Sequence, residues 1–205
     1  MGSEMCIRDR LCAGVTTYSP LTHFKINKHH KVGIAGLGGL GHMGLKFAAS
    51  FGSEVVVFST SDSKRDEAFD MGATHFVNVN NEDDIAKYQN SCDYILDTVS
   101  VNRNMTQVFS FLKTDGIIML VGLPMEPLAI SSFSLIDKRK GIVGSAIGSI
   151  KETQEMIDYC FKKNIYPEIE IIPISKINEA FDRTINKAVS YTHLRAHETS
   201  LHLVC

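Results

Sequence analysis

The sequence predicts an α/β protein built on a doubly wound parallel sheet. Short apolar runs of strand length alternate with segments of helical spacing along most of the chain. Such alternation favours parallel strands joined by crossover helices. In addition, a glycine-rich turn lies between the first apolar run and the first helical segment, which is the context in which such a turn binds phosphate. We therefore expect a nucleotide-binding domain of the Rossmann type.

Six strands and the helices between them are predicted in alternating order. The strands are short runs of apolar and β-branched residues, at 31–35, 54–58, 75–79, 93–97, 116–122 and 141–144. Between them, apolar residues recur at helical spacing, at 40–51, 64–71, 82–88 and 104–113. After the last of these strands the sequence predicts a helix, a strand and a second helix, at 152–163, 169–172 and 177–185.

The composition fits one such domain and argues against several other classes of protein. The chain has 205 residues, 44% hydrophobic content and a net charge of -2, which allows one buried core plus an appendage. The chain has no excess of basic residues that would indicate nucleic-acid binding. It also has no apolar run long enough to predict a membrane span, and no leader pattern that would predict a signal peptide. The five cysteines lack a CxxC pair, which argues against a disulfide framework or a self-contained zinc cluster. We therefore expect a cytoplasmic protein.

The glycine-rich turn has three glycines at the GxGxxG spacing. Gly36 would allow the tight turn, Gly38 a close approach of backbone to a pyrophosphate, and Gly41 close packing of the helix on the strand. The anion would then lie at the helix N-terminus. The alternative is a flexible glycine-rich loop. The candidate cofactor-binding residues are Gly36, Leu37, Gly38, Gly39, Leu40 and Gly41.

The residues that follow the second strand indicate which dinucleotide fits. An acidic residue at this point would bind the ribose hydroxyls of NAD and would repel the 2′-phosphate of NADP. This chain instead has hydroxyl side chains and a cation, which can hold a phosphate, while Asp62 lies past the strand end where it can cap the next helix. The alternative is a Ser/Thr-rich turn with solvated charges. The predicted NADP-binding residues are Ser59, Thr60, Ser61, Asp62, Ser63 and Lys64.

Five segments, in one order along the chain, also carry a family resemblance. They are 12–21 (CAGVTTYSPL), 36–42 (GLGGLGH), 59–65 (STSDSKR), 96–99 (LDTV) and 144–148 (GSAIG). Over about 11–188 the chain resembles the cinnamyl alcohol dehydrogenase branch of the zinc-dependent medium-chain dehydrogenases. Five motifs in one order are more specific than any one of them.

The resemblance implies reversible hydride transfer between NADP(H) and an alcohol or aldehyde, with a catalytic zinc that polarises the substrate oxygen. Cys12 matches one catalytic zinc ligand, although from the residues alone it would be a buried bystander thiol, because one Cys cannot make a zinc site. The resemblance also suggests a homodimer through the sheet edge at 141–148. The further cofactor contacts that it implies are Thr16, Thr98, Gly122, Ser145, Ala146 and Ile147.

The chain also departs from the family. Members carry an N-terminal catalytic domain with the other zinc ligands, a structural zinc site and the proton relay, none of which is present here. We therefore expect 11–150 to be the NADP-binding domain and 151–188 a remnant of the catalytic domain. Residues 1–10 and 189–205 fit neither the family nor a clear periodicity, so we expect foreign or disordered tails. Two function classes follow: an alcohol dehydrogenase fragment that is inactive alone, and a non-catalytic nucleotide-binding module.

Overall fold

The computed structural model describes residues 3–168, 170–185 and 194–197, with side chains described within 11–168 and 175–183. Its main feature is a six-stranded sheet in which every strand pairs in parallel with its neighbours. The strand order is β3-β2-β1-β4-β5-β6, so the order reverses between β1 and β4. This confirms the predicted doubly wound parallel sheet. The strands are β1 (Lys31–Ala35), β2 (Glu54–Ser59), β3 (His75–Asn78), β4 (Cys92–Asp97), β5 (Leu112–Leu120) and β6 (Gly141–Gly144).

Helices connect the strands and cover the two faces of the sheet. Two helices that pack on each other, α1 and α2, contribute to one face, and α7 packs on α1. The helices are α1 (Ser3–His23), α2 (Gly39–Ser50), α3 (Arg65–Asp70), α4 (Glu82–Tyr88), α5 (Met105–Ser110), α6 (Ser132–Ile136), α7 (Ile150–Lys163) and α8 (Ile177–Ile185).

The core lies in two layers, one on each side of the sheet. Along β2, Val55 and Val57 belong to one layer, whereas Val56 and Phe58 belong to the other. This alternation follows from the two-residue period of a strand. The first layer includes Phe47 of α2, and in the second Phe58 stacks on Phe111 with ring centroids 4.3 Å apart. Both faces of the central strands are therefore dry, which explains their continuous apolar runs.

Several elements differ from the sequence-based expectation, which contained no helix at the position of α6. Helix α1 was not predicted, and its residues 12–21 were noted only as a family motif. Every residue from 13 to 18 is buried, so no amphipathic stripe marks the helix. Strand β5 begins at Leu112 instead of 116, and α5 ends at Ser110. Residues 112 and 117 pair with Cys92 and Tyr94, so the pairing contains a register shift that no apolar period indicates.

The terminal segments are described only in part. In the N-terminal segment, Ser3 and the residues up to Arg10 continue α1 as helical backbone. Beyond α7, β7 (Glu170–Pro173) pairs in parallel with β8 (Leu194–His197). The rest of 189–205 lies outside the described residues, so the expectation for that tail stays a prediction apart from the four residues of β8. Among the described residues, no helix is long and apolar enough to cross a membrane.

Candidate dinucleotide site

The turn between β1 and α2 is tight, and two of its glycines are required by their surroundings. Gly36 has φ +85°, a left-handed conformation that favours glycine, and its N–H donates to the Phe58 carbonyl oxygen over 3.0 Å. A Cβ atom on Gly41 would lie 1.9 Å from the Gly36 carbonyl oxygen. Only glycine at 41 lets the start of α2 pack directly on the turn.

Gly38 lies at the open side of the same turn. It is the N-cap of α2, has extended backbone, and provides no side-chain cap. A Cβ atom on Gly38 would have no heavy atom within 4 Å, so the space in front of the helix N-terminus is open. The first N–H groups of a helix need acceptors and carry the positive end of the helix dipole, which favours an anion there. The arrangement fits a pyrophosphate.

Thr98 and Gly122 place the ends of β4 and β5 beside this turn, at the point where the strand order reverses. The Thr98 hydroxyl donates to the carbonyl oxygens of Ala35 (2.8 Å) and Gly36 (3.1 Å), so it connects the end of β4 to the glycine-rich turn. A Cβ atom on Gly122 would lie 2.4 Å from the Val99 carbonyl oxygen. Ligands of doubly wound sheets bind at such a switch point, outside the carboxyl ends of the strands.

The segment that follows β2 folds into a compact hydroxyl-rich turn. The Ser61 side chain accepts from the Ser63 N–H and thereby caps the short helical turn Asp62–Lys64. The sequence had suggested Asp62 as a cap, but its carboxylate instead accepts from Arg65 (2.5 Å) and from Asn78 (2.7 Å). These hydrogen bonds, with that from Arg65 the larger, hold the pKa of Asp62 below its ordinary value.

Lys64 connects this hydroxyl-rich turn to the glycine-rich one. Its ammonium donates to the Leu37 carbonyl oxygen over 2.8 Å. Ser59 and Ser61 are neighbours here, since the Ser59 hydroxyl donates to the Ser61 carbonyl oxygen over 3.1 Å, and the Asn80 amide donates to the Thr60 carbonyl oxygen over 2.9 Å. The structure therefore brings the two predicted cofactor segments, 36–41 and 59–64, to one edge of the sheet.

The remaining predicted contacts lie on α1 and after β6. Thr16 is buried on α1, whereas Cys12, one turn earlier, is exposed. The Ser145 N–H donates to the Leu120 carbonyl oxygen over 3.0 Å, which continues the pairing of β6 with β5. Ala146 and Ile147 are exposed, and Ile147 has φ +56°.

Sequence reasoning missed a buried ion pair next to the site. Asp97, the last residue of β4, is fully buried and forms an ion pair with Arg103. Its backbone carbonyl also accepts the N–H groups of Val121 and Gly122, each over 2.9 Å. Burial lowers the pKa of Arg103. An acidic residue at the end of an apolar strand was the available signal, because such a charge needs a partner when buried.

The described residues do not form a zinc site. Among them, no group of three or more His, Cys, Asp and Glu side chains is placed to hold a metal ion. A catalytic zinc needs about three protein ligands. Cys12, the predicted ligand, lies on α1, and the described residues do not supply the other ligands that such a site requires.

The parallel sheet, its strand order and the glycine turn at the switch point are typical of dinucleotide-binding domains. Residues 39–162 match the zinc-binding dehydrogenase family, and the chain belongs to that family. It is 47% identical to the aldehyde reductase YahK of Escherichia coli (strain K12) over 182 residues, which are 88% of this chain and 52% of that protein. It is also 46% identical to 8-hydroxygeraniol dehydrogenase of Catharanthus roseus over 183 residues, 88% and 51% of the two chains.

Solved structures agree with this assignment. A cinnamyl alcohol dehydrogenase from Sorghum bicolor superposes with a TM-score of 0.87 at 33% identity, over 93% of this chain and 56% of that one. A cinnamyl alcohol dehydrogenase from Helicobacter pylori, complexed with NADP(H), gives 0.81 at 38% identity, over 89% and 52%. The resemblance found in the five motifs is thereby confirmed. The chain spans about half the length of the curated relatives that it matches.

Proposed function

We propose that this chain binds NADP(H) as the cofactor domain of a zinc-dependent alcohol dehydrogenase. The proposal rests on one observation: segments 36–41 and 59–64 lie next to each other at the switch point. The hydrogen bond from the Lys64 ammonium to the Leu37 carbonyl oxygen connects them. A glycine turn at a helix N-terminus suits a pyrophosphate, and the adjoining hydroxyl-rich turn suits a phosphate on the neighbouring ribose. The cofactor complex of the Helicobacter pylori relative supports the same cofactor.

The choice of NADP over NAD rests on Ser59 and its neighbours. Ser59 occupies the end of β2, where a carboxylate would repel a 2′-phosphate. The one acidic residue of this turn, Asp62, is engaged by Arg65 and Asn78. Lys64 adds a cation within the same turn. A phosphate at this position would meet hydroxyl donors and a positive charge.

The intact enzyme would catalyse reversible hydride transfer between NADP(H) and a small alcohol or aldehyde. A catalytic zinc would supply a Lewis acid for the substrate oxygen, with Cys12 as one ligand. We further propose a cytoplasmic location, which the scattered cysteines favour, and a homodimer through β6, the edge strand of the sheet.

A second candidate is a non-catalytic nucleotide-binding module. Within the part of the chain that the structure describes, no cluster of metal-ligating side chains is present, and this observation favours the second candidate for the chain by itself. Both candidates share the cofactor site. They differ in whether further zinc ligands come from outside the chain.

Comparison of NADPH and NADH binding tests the proposal. We expect NADPH to bind at least about tenfold more tightly, since a charge-assisted hydrogen bond contributes about 1.5 to 3 kcal/mol. Ser59→Asp should reverse this order, because a carboxylate repels the phosphate but accepts from free ribose hydroxyls. Fluorescence or calorimetric titration gives both dissociation constants.

Ser132→Asp is the matched control for the added charge. Ser132 is an exposed serine at the start of α6, outside the proposed site. This variant should keep the wild-type preference for NADPH. Equal affinity of the wild type for the two cofactors would contradict the phosphate site and leave the glycine turn unaffected.

A further inference from the structure

One carboxylate joins α1 to the start of α7. The Ser19 hydroxyl donates to Glu152 Oε1 over 2.6 Å, between residues 133 positions apart in the sequence. The other oxygen, Oε2, accepts the Ser149 N–H over 2.7 Å. The Ser149 hydroxyl in turn accepts the Glu152 N–H over 3.2 Å, which completes a capping box. Glu152 therefore caps its own helix with one oxygen and holds α1 with the other.

The Ser19 hydrogen bond is unlike those of the neighbouring hydroxyls on α1. Thr17 and Thr22 donate to carbonyl oxygens of α1 itself, Thr17 to Ala13 (2.8 Å) and Thr22 to Tyr18 (2.9 Å). Such bonds to the preceding turn are the ordinary choice of a helical Ser or Thr. Ser19 instead bonds across to another helix. Since the capping box needs only Oε2, the bond to Oε1 is an additional link between the two elements.

The same link holds the segment that follows β6. A Cβ atom on Gly148 would lie 2.6 Å from Val15 Cγ2 and 3.5 Å from Glu152 Oε2, so the Gly148 backbone packs against both α1 and the carboxylate. Val15 and Ser19 are four residues apart and share one face of α1. At the other end, the Ser145 N–H is fixed to the Leu120 carbonyl oxygen. Residues 145–148 are therefore fixed at both ends, with the exposed Ile147 between them.

We propose that Ser19 and Glu152 are positioning residues that hold 145–147 in place for the nicotinamide half of the cofactor. The inference rests on the proposed NADP(H) function. That function places the adenosine 2′-phosphate after β2, so the other nucleotide half lies toward the ends of β4, β5 and β6, where residues 145–147 follow β6. Ser19 and Glu152 act through the loop and the packing of Gly148 on α1. The hydrogen bonds from Ser19 and Ser149 lower the pKa of Glu152.

Ser19→Ala in the 205-residue chain tests the inference, because it removes the link and leaves the capping box intact. Two probes separate the halves of the site: NADPH, and adenosine 2′,5′-bisphosphate, which lacks the nicotinamide half. We expect NADPH to bind about threefold to tenfold more weakly, which is only part of the effect of one hydrogen bond to a charged group, because Ser19 acts on the cofactor through the loop. Binding of adenosine 2′,5′-bisphosphate should stay within about twofold of the wild type.

Thr22→Ala is the matched control, since it removes an α1 hydroxyl that bonds only within α1. It should leave both affinities unchanged. As a second measurement, exchange of the Ser145 amide, which donates to the Leu120 carbonyl oxygen, should become faster in Ser19→Ala, with exchange of the Gly36 amide unchanged.

Four outcomes would overturn the inference. Wild-type NADPH affinity in Ser19→Ala, or equal weakening of both probes, would contradict the positioning role while the proposed function stands. Unchanged exchange of the Ser145 amide would do the same. A wild-type chain that binds neither probe would instead overturn the proposed function, and the positioning role with it.

Discussion

At the scale of single residues, two glycines of the turn differ in whether the fold requires them. Gly41 is required by the fold, because a Cβ atom would lie 1.9 Å from the backbone oxygen of Gly36. Gly38 meets open space, so the fold itself does not require it. The spacing of the motif indicated both positions, but only the structure shows that packing requires glycine at 41 and leaves space at 38.

Gly41→Ala and Gly38→Ala test this separation. We expect Gly41→Ala to lower the free energy of unfolding by about 1 to 3 kcal/mol, since overpacking against backbone cannot relax cheaply. Gly38→Ala should change the free energy of unfolding by no more than about 0.5 kcal/mol, yet weaken NADPH binding. Urea unfolding and NADPH titration of the two variants check this. Equal loss of stability in both would contradict the assignment.

Several residue contacts could not be predicted from local sequence. Ser61, and not Asp62, caps the turn after β2, because Arg65 and Asn78 engage the Asp62 carboxylate. Asn78 lies on β3, so its amide reaches the turn only after the sheet has formed. Local propensity gave equal reason for either cap.

At the scale of elements, the strands and helices that could be predicted from the sequence are those with a regular apolar period. The six strands were placed within a few residues, apart from the earlier start of β5, since apolar runs bounded by turns identify buried parallel strands. Helix α1 was not predicted as a helix from apolar spacing, because its buried part has no polar face. The hydrogen bond from Ser19 to Glu152 could not be predicted, because it joins residues that are far apart in the sequence.

The charged cap of α7 predicts a pH-dependent stability. Because the folded-state pKa of Glu152 is lowered, its stabilising effect is fully present above the unfolded-state pKa of about 4.3 and is lost as the pH falls through the folded-state value. We expect the wild type to melt at a higher temperature than Glu152→Gln at about pH 6, with the difference shrinking below about pH 4. Thermal melts across this range give the difference.

Thr153→Ala is the control for that measurement. Thr153 bonds the Ser149 carbonyl oxygen in the same turn of α7 but carries no titrating group. Its effect on the melting temperature should be constant over the same pH range. A difference between wild type and Glu152→Gln that grows as the pH falls would contradict the sign.

At the scale of the whole molecule, the described residues form a six-stranded parallel sheet but no cluster of metal-ligating side chains. The six strands and the turns at their carboxyl ends are all present. Cys12, the zinc ligand that the family resemblance implies, is exposed on α1. Cofactor binding and hydride transfer can therefore be tested separately in this chain.

We expect the isolated chain to bind NADPH without retaining a catalytic zinc or reducing aldehydes. A single Cys ligand holds zinc too weakly to compete with water and buffer, because a catalytic site takes about three protein ligands. Elemental analysis after purification in zinc, and an assay of aldehyde-dependent NADPH oxidation, check the two parts. The aldehyde reductase YahK of Escherichia coli, 47% identical over the shared region, is the positive control for aldehyde reduction. One zinc per chain that is lost in Cys12→Ser, together with aldehyde-dependent turnover, would contradict this expectation and show that ligands outside the described residues complete the site.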